Sequence, residues 1–512
     1  MPDNSSSNKR IAKNSIFLSV RMVIVLVISL YTTRVVLRIL GVEDYGVYNV
    51  VCGFVAMFAF LNTSMSNGIQ RFINYEYGRN GEEGANKVYC TAVIIQFLLA
   101  VIIVALTESI GLWYLHNKMV IPDGRMIAAE WIFQFSILSF LFVIMQAPYN
   151  AVVMAHERMD FYAIVNVLDA LLKLGIVFIL PFFSWDHLIL YGILMAGISL
   201  VNFLLYYIYC RHSFNEVKLR RYFDKQLFLS MLSFSGWNIF GSFSGVMKIQ
   251  GVNLIINLFF GPIVNAARGV AAQVNAGVVG FVSNILTPVR PQVIQSYASG
   301  NLNRAMNLTF SISKFSLALL LSMSIPICVE VDYILHLWLG SDIPNHTSAF
   351  IIIVLLTSSV EIPMGALATL VHASGKMKNY QLYGSIIKVL SVPFAYLVLK
   401  LGSAVEWALV MVFVFDVIGL IAGMFILRGI MPFNIKKYVT DVILPLLPVA
   451  VSVILILLLM TRLFNQGIAR CASSCIFGAI LFLLLFYVIS TSKDEKKLIK
   501  NMYNQFKSRI IH

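Results

Sequence analysis

Charged residues are scarce in this chain: they make up 12% of its 512 residues, whereas 59% are hydrophobic. A water-soluble globular protein of this length needs a larger polar share to cover its surface, and the mean hydropathy of +0.83 excludes that class. Lipid offers the backbone no hydrogen-bond partners, so segments that cross it are helices or closed barrels, and long unbroken apolar runs favour helices. We therefore expect an all-α, polytopic membrane protein.

Catalytic and metal-binding motifs are also absent. The six cysteines show no CxxC or Cys/His spacing, which argues against zinc sites and disulfide frameworks. No P-loop, dinucleotide fingerprint or nucleophile–base pattern stands out, so we expect neither an enzyme nor a cofactor. The net charge of +14 is spread between apolar runs rather than clustered on one face, which argues against nucleic acid as a partner.

About fourteen apolar runs are long enough to cross roughly 30 Å of hydrocarbon. The first follows Lys9, Arg10 and Lys13, but it exceeds signal-peptide length and contains Arg21, so we interpret it as an uncleaved helix. The predicted spans lie near residues 15–37, 45–64, 88–106, 128–151, 161–183, 188–210, 227–260, 264–287, 310–329, 349–370, 381–401, 407–427, 442–459 and 471–489.

The distribution of Lys and Arg predicts the orientation of these spans, because cytoplasmic loops retain basic residues. With the N-terminus inside, the most basic segments, at 211–225 and 493–509, both fall in the cytoplasm. The predicted outer loops contain acids such as Glu43, Asp44 and Glu330. We expect a membrane protein with both termini in the cytoplasm.

The order of spans suggests two equivalent halves. We predict a cytoplasmic tail (1–14), an N-lobe of six helices (15–210), a cytoplasmic linker (211–226), a C-lobe of six helices (227–428), an appended helix pair (429–491) and a basic cytoplasmic tail (492–512). At an offset of 220 residues, Gly41 aligns with Gly261 at corresponding helix ends. Repeats of this kind share one topology and are expected to enclose a substrate cavity.

Cations inside the predicted spans indicate which residues line that cavity and what kind of substrate it binds. An ionisable group in hydrocarbon costs a few kcal/mol on insertion scales, so it usually faces a partner or a water-filled space. We predict that Arg21, Arg34, Lys248 and Arg268 line a cationic cavity. Such a cavity suits phosphate or pyrophosphate, which Arg binds through paired N–H donors and Lys as a point charge.

The remaining charged residues of the spans leave alternatives open. Asp169 and Lys173 are four residues apart on one helical face, so they form either an internal ion pair or part of a cavity. Ion coupling and structural pairing are both open for Glu361, Lys388 and Asp416. Lys314 lies near a span end, where snorkelling to the interface is expected.

Four short segments carry a resemblance to a known family. They are LGVEDYGVY at 40–48, NGIQRF at 67–72, PYNA at 148–151 and HERM at 156–159. With the basic N-terminus, they make nearly the whole chain resemble the Wzx-like flippases of the multidrug/oligosaccharidyl-lipid/polysaccharide (MOP) superfamily. The resemblance implies a MATE- and MurJ-like fold with two six-helix lobes around a V-shaped cationic cavity, a role that falls on Arg21, Arg34, Lys248 and Arg268.

The expected function is therefore that of a flippase. It would move an undecaprenyl-pyrophosphate-linked oligosaccharide across the bacterial inner membrane by alternating access. The product would serve surface polysaccharides such as O-antigen (lipopolysaccharide) or capsule. The implied partners are that substrate, membrane lipid, H⁺ or Na⁺ and polysaccharide-assembly proteins. One alternative is an ion-coupled MATE-type drug exporter, which should have an acidic, aromatic cavity. The other is a membrane-embedded polysaccharide polymerase or ligase, which would need a large outer loop that the sequence lacks.

Overall fold

The computed structural model describes residues 4–156, 158–220, 223–286, 293–294, 296–297, 299–491 and 495–496. Side chains are described for these residues except 4–23, 63–64, 67, 78, 234–239 and 284–286. Throughout this part of the chain the regular structure is helical and no strand occurs. The all-α prediction is confirmed.

The α-helices are numbered in chain order. They are α1 (Asn4–Ala56), α2 (Ala59–Leu106), α3 (Leu112–Asn117), α4 (Met126–Ala155), α5 (Met159–Ile179), α6 (His187–Ser213), α7 (Lys225–Val246), α8 (Val252–Phe260), α9 (Pro262–Leu286), α10 (Leu302–Val329), α11 (Val331–Leu339), α12 (Thr347–Ser374), α13 (Met377–Lys400), α14 (Glu406–Ile430), α15 (Ile435–Tyr438), α16 (Leu446–Leu463) and α17 (Ile468–Leu485). Single π-helical turns interrupt or extend them at Thr107–Gly111, Met247–Gly251, Val439–Ile443 and Phe486–Ser490.

Among the described residues, twelve helices are long and apolar enough to cross a membrane. The chain is thus a multi-pass membrane protein. The predicted span at 45–64 lies across the end of α1 and the start of α2, and the span at 264–287 largely coincides with α9. Neither is counted separately among the twelve, so the number fourteen stays a prediction.

Gly41 and Gly261 adopt nearly the same backbone conformation. Gly41 bends α1 with φ 79° and ψ 168°, and Gly261 separates α8 from α9 with φ 75° and ψ −174°. Both values of φ lie in the region that glycine enters without steric cost. The two residues that align at an offset of 220 therefore make equivalent breaks, as expected for an internal repeat.

The contacts within the chain define two compact units. The first comprises Met1–Gln273, Asp342–Thr347 and Gly384–Val412, and the second comprises Val274–Ser341, Ser348–Tyr383 and Phe413–His512. This division assigns α7 and α8 to the first unit, whereas the sequence assigned them to the C-lobe. The six-helix lobes stay a prediction.

Each unit has its own apolar core. In the first unit, Tyr89 of α2, Tyr149 of α4 and Tyr206 of α6 are at most 5% exposed and belong to one cluster. The second unit contains two clusters, one around Tyr438 and one around Phe482 of α17. Aromatic side chains bury a large apolar area and give these clusters much of their stabilisation.

The predicted linker at 211–226 is fixed to the first unit. Asn86 of α2 donates hydrogen bonds to the carbonyl oxygens of Glu216 (2.6 Å) and Lys218 (2.7 Å). The His156 ring at the end of α4 contacts the buried Glu216 carboxylate and stacks on Phe214, with 4.3 Å between ring centroids. These contacts hold the linker against α2 and α4 before α7 begins.

Candidate functional site

Residues 42–56 of α1 pack closely against α8, α9 and the turn that precedes α8. A Cβ atom at Gly46 would lie 1.9 Å from the carbonyl oxygen of Pro262, and one at Gly269 would lie 2.8 Å from Asn49 Oδ1. A Cβ at Gly53 would lie 2.9 Å from Gln250 Oε1. Glycine, which has no side chain, lets the backbones of two membrane helices come this close together. We call this contact the glycine seam.

A cavity of about 250 Å³ lies along the glycine seam. Its charged lining residue is Arg268 of α9, which is half-buried. Three carboxamides, Asn49, Gln250 and Asn253, line it as well. Among the described residues, the lining contains no carboxylate. We call this space the Arg268 cavity.

Helical spacing brings these polar groups onto common faces. Gln250, Asn253 and Asn257 follow one another at i, i+3 and i+7, and Asn265 precedes Arg268 by three residues. Asn265 Nδ2 donates to both Asn253 O (2.8 Å) and Asn253 Oδ1 (2.7 Å). Within the described part of the chain, the buried Oδ1 of Asn265 has no hydrogen-bond partner. The lining of the cavity is thus supported by a layer of buried amides.

The groups that line this cavity can form hydrogen bonds to an anion, because one guanidinium group lies among carboxamides. A guanidinium group presents five N–H donors in a planar fork that matches oxyanions, and carboxamides both donate and accept. Amide groups of this kind also match the hydroxyls of sugars. No group of three or more His, Cys, Asp or Glu side chains suited to a metal ion occurs among the described residues.

The predicted cations occupy different environments. Arg268 lines the cavity, whereas Arg34 is exposed on α1. Lys248 is only 4% exposed and lies in the π-helical turn Met247–Gly251, next to lining residues 249 and 250. Arg21 belongs to α1, but its side chain lies outside the described residues. Convergence of all four on one cavity stays a prediction.

Asp169 and Lys173 form an ion pair on α5. Lys173 Nζ lies 2.7 Å from Asp169 Oδ2, and Asn202 of α6 donates to Asp169 Oδ1 at 2.7 Å. Both carboxylate oxygens of Asp169 therefore accept a hydrogen bond from a side chain. Glu361 and Lys388 are half-buried on α12 and α13, and Asp416 is 1% exposed on α14.

A second charged cluster ties three segments of the first unit together. Arg125 binds Asp44 through Nε (2.7 Å) and Nη2 (2.5 Å), and it binds Asp186 through Nη1 (2.5 Å). Burial alone would raise the pKa of Asp186, but hydrogen bonds from Arg125 and from the backbone N–H groups of Ile189 and Leu188 hold that pKa below its usual value. Because the carboxylates balance the guanidinium, we interpret this cluster as structural.

The comparisons with known proteins agree with this helical arrangement. Residues 18–179 match the model of the MatE family. The lipid II flippase MurJ in an inward closed conformation superposes with a TM-score of 0.70 at 13% identity, covering 92% of this chain and 98% of that one. This chain has the MATE/MurJ fold.

Two further solved structures share it. An inward-facing multidrug resistance MATE family transporter of the MOP superfamily gives a TM-score of 0.65 at 13% identity, covering 80% of this chain and 97% of that one. A MOP superfamily transporter from Pyrococcus furiosus, described as having reverse polarity of its binding pocket, gives 0.60 at 14% identity, covering 81% and 95%. No curated protein is significantly similar in sequence. At these identities the likeness establishes the fold and not the substrate.

Sequence reasoning missed the carboxamides. The predicted cavity contained only charged residues. Four amides that interrupt apolar runs were left out, namely Asn49, Gln250, Asn253 and Asn265. The helical spacing of Gln250, Asn253 and Asn257 was a usable signal, because amides on one face of a membrane helix mark a helix contact or a cavity.

Proposed function

We propose that this protein is a MOP-superfamily flippase that moves a lipid-linked oligosaccharide, of the undecaprenyl-pyrophosphate type, across the bacterial inner membrane. The observation that carries the proposal is the Arg268 cavity, which combines a guanidinium group with carboxamides. These groups bind phosphate oxygens and sugar hydroxyls, the two polar components of such a substrate. Surface-polysaccharide synthesis, for O-antigen or capsule, is the pathway that would use it.

The size of the cavity supports a partial role in binding. Its volume of about 250 Å³ is below the roughly 300–1,000 Å³ of drug-sized sites. It accommodates one portion of a head group while other parts of the substrate lie elsewhere. In this proposal Arg34, Lys248 and Arg21 extend the cationic path beyond the cavity.

The second candidate function is a MATE-type drug exporter. The MatE match at 18–179 and the MATE structures favour it. An exporter of organic cations requires a carboxylate in its binding site, since cations are attracted by opposite charge. The described lining of the Arg268 cavity contains none, and Asp169 already binds Lys173. These contacts support the flippase over the exporter.

The test is translocation by the full-length protein in inverted membrane vesicles that carry a lipid-linked oligosaccharide. Arg268→Gln keeps hydrogen-bonding capacity but removes the charge, and a charge-assisted hydrogen bond contributes about 1.5–3 kcal/mol. We expect the translocation rate to fall at least about tenfold, with partial recovery in Arg268→Lys. Arg304→Gln is the matched control, because Arg304 is exposed at the start of α10 and should leave the rate unchanged.

A parallel arm measures efflux of an organic cation from cells that express the same variants. The flippase proposal predicts no efflux above background for the wild type. Efflux by the wild type together with unchanged oligosaccharide translocation in Arg268→Gln would contradict the proposal and favour the exporter.

A further inference from the structure

A larger cavity occurs in the second unit. Its volume is about 620 Å³. It is bordered by α10, by the chain around α15 and by the segment that follows α17. The polar and charged lining residues that matter here are Ser311, Lys314, Lys437, Thr440, Asp441 and Glu495. We call it the Lys314 cavity.

Lys314 does not snorkel, contrary to the expectation from sequence. Its side chain is 5% exposed, and its Nζ lies 2.9 Å from Glu495 Oε2. A buried ammonium group requires an anion, because the desolvation penalty is otherwise several kcal/mol. Here the anion comes from a residue beyond the last helix, 181 positions away in sequence. The contact shows that an oxyanion fits beside Lys314.

The net charge of the lining would rise from zero to +1 if Glu495 left the cavity. With Glu495 in place, Lys314 and Lys437 are balanced by Asp441 and Glu495 among the lining residues. Without Glu495, the lining has two cations and one carboxylate. Ser311 and Thr440 add hydroxyl-bearing side chains to the lining. A negatively charged, oxygen-rich group could then replace the carboxylate.

The surroundings of the cavity indicate the source of that group. Phe310, Val442 and Pro445 form an apolar part of the lining. Beside it, Leu444, Leu447 and Ile489 are each about half exposed on helices that are apolar enough to span the membrane. Acyl chains can pack against these side chains while a charged head reaches Lys314. A soluble anion would gain nothing from the apolar surface.

We propose that the Lys314 cavity binds the phosphate headgroup of an anionic membrane lipid, and that Glu495 occupies the phosphate position when the lipid is absent. Lys437 contributes the second cation, and basic residues near a membrane surface favour anionic lipids. The Glu495 carboxylate thereby competes with the lipid for one site. This inference does not depend on which substrate the protein transports.

The test is a titration of the full-length protein in detergent with phosphatidylglycerol or with zwitterionic phosphatidylcholine, followed by native mass spectrometry. The wild type should bind phosphatidylglycerol in preference to phosphatidylcholine. Glu495→Gln removes the competing carboxylate, so phosphatidylglycerol should bind at least about fivefold more tightly, the lower end of typical coupling between sites. Lys314→Met should abolish the preference for phosphatidylglycerol.

Two controls keep the result decisive. Lys436→Gln removes an exposed cation that neighbours Lys437 but does not line the cavity, and it should leave both affinities unchanged. The double variant Lys314→Met/Glu495→Gln removes both partners of the pair, so it tests the role of Lys314 even where the single variant fails to fold.

Equal affinity of wild type and Glu495→Gln for phosphatidylglycerol would overturn the competition by the Glu495 carboxylate. Retained preference for phosphatidylglycerol in the double variant would overturn the site itself. Displacement of the lipid by millimolar inorganic phosphate would assign the site to a soluble anion and contradict the lipid source.

Discussion

The Arg268 cavity and the Lys314 cavity accommodate a buried cation in different ways. Arg268 lies among carboxamides, and its described lining contains no carboxylate. Lys314 lies against Glu495, in a lining with two cations and two acids. Glu495 must leave before another anion reaches Lys314, whereas the carboxamides that line the Arg268 cavity can donate hydrogen bonds to an anion directly. Cations held by carboxylates should therefore affect stability when removed, and Arg268 should affect transport.

The largest effect on stability is expected at Arg470, a cation held by a carboxylate. Its Nη2 lies 2.8 Å from Oε2 of Glu330, whose side chain is 1% exposed. Arg470→Gln leaves a buried charge with a hydrogen bond from Ser474 at 3.0 Å, so the free energy of unfolding should fall by about 3–5 kcal/mol. Denaturant unfolding in mild detergent measures it. Arg462→Gln, an exposed cation of the same hairpin, should change it little.

A smaller loss of stability, joined by a loss of transport, is expected from the glycine seam. A methyl group at Gly46 would collide with the Pro262 carbonyl, and overpacking costs about 1–3 kcal/mol. Gly46→Ala should lower the thermal unfolding midpoint and slow translocation, because it disrupts the helix contact along which the Arg268 cavity lies. Gly197→Ala is the matched control, since no atom lies within 4 Å of its added methyl group. Equal behaviour of the two variants would show that the seam is not close-packed in solution.

The Asp169–Lys173 pair should show a weak coupling. Both side chains are partly exposed, and pairs at i, i+4 contribute about 0.5 kcal/mol or less. A double-mutant cycle with Asp169→Asn and Lys173→Met should give a coupling of that size in the unfolding free energy, with translocation nearly unchanged. Loss of ion-dependent translocation in Asp169→Asn would instead assign this carboxylate to ion coupling and contradict a purely structural role for the pair.

The smallest effect on stability is expected from Asp186→Asn, and it should appear only at acidic pH. Its pKa is depressed in the folded protein, so its contribution to stability is present above the unfolded value of about 3.9 and disappears as the pH falls through the folded value. Asp186→Asn should flatten the fall of the unfolding midpoint below about pH 4. Asp123→Asn, on the exposed stretch before Arg125, should keep the wild-type profile.

The sequence was sufficient for features that depend on local pattern. Long apolar runs predicted the helices, and the offset between Gly41 and Gly261 pointed to two breaks with matching φ and ψ. The spacing of Asp169 and Lys173 suggested their pair, because both lie on one face of a single helix.

Pairs between distant helices could not be predicted in the same way. Glu495 is 181 residues from Lys314, and Glu330 is 140 residues from Arg470. Nothing in the local pattern distinguishes these cations from Arg268, because the partner depends on which helices become neighbours. The carboxamides around Arg268 were missed for the opposite reason: they are uncharged, although their helical spacing was visible.

The most direct test compares Arg268→Gln with Arg470→Gln for the rate of oligosaccharide translocation per folded molecule. We expect Arg268→Gln to lose most of the rate per folded molecule, whereas Arg470→Gln should lose stability but keep the rate of the molecules that remain folded. A normal rate in Arg268→Gln would contradict the assignment of this cavity to the translocation path.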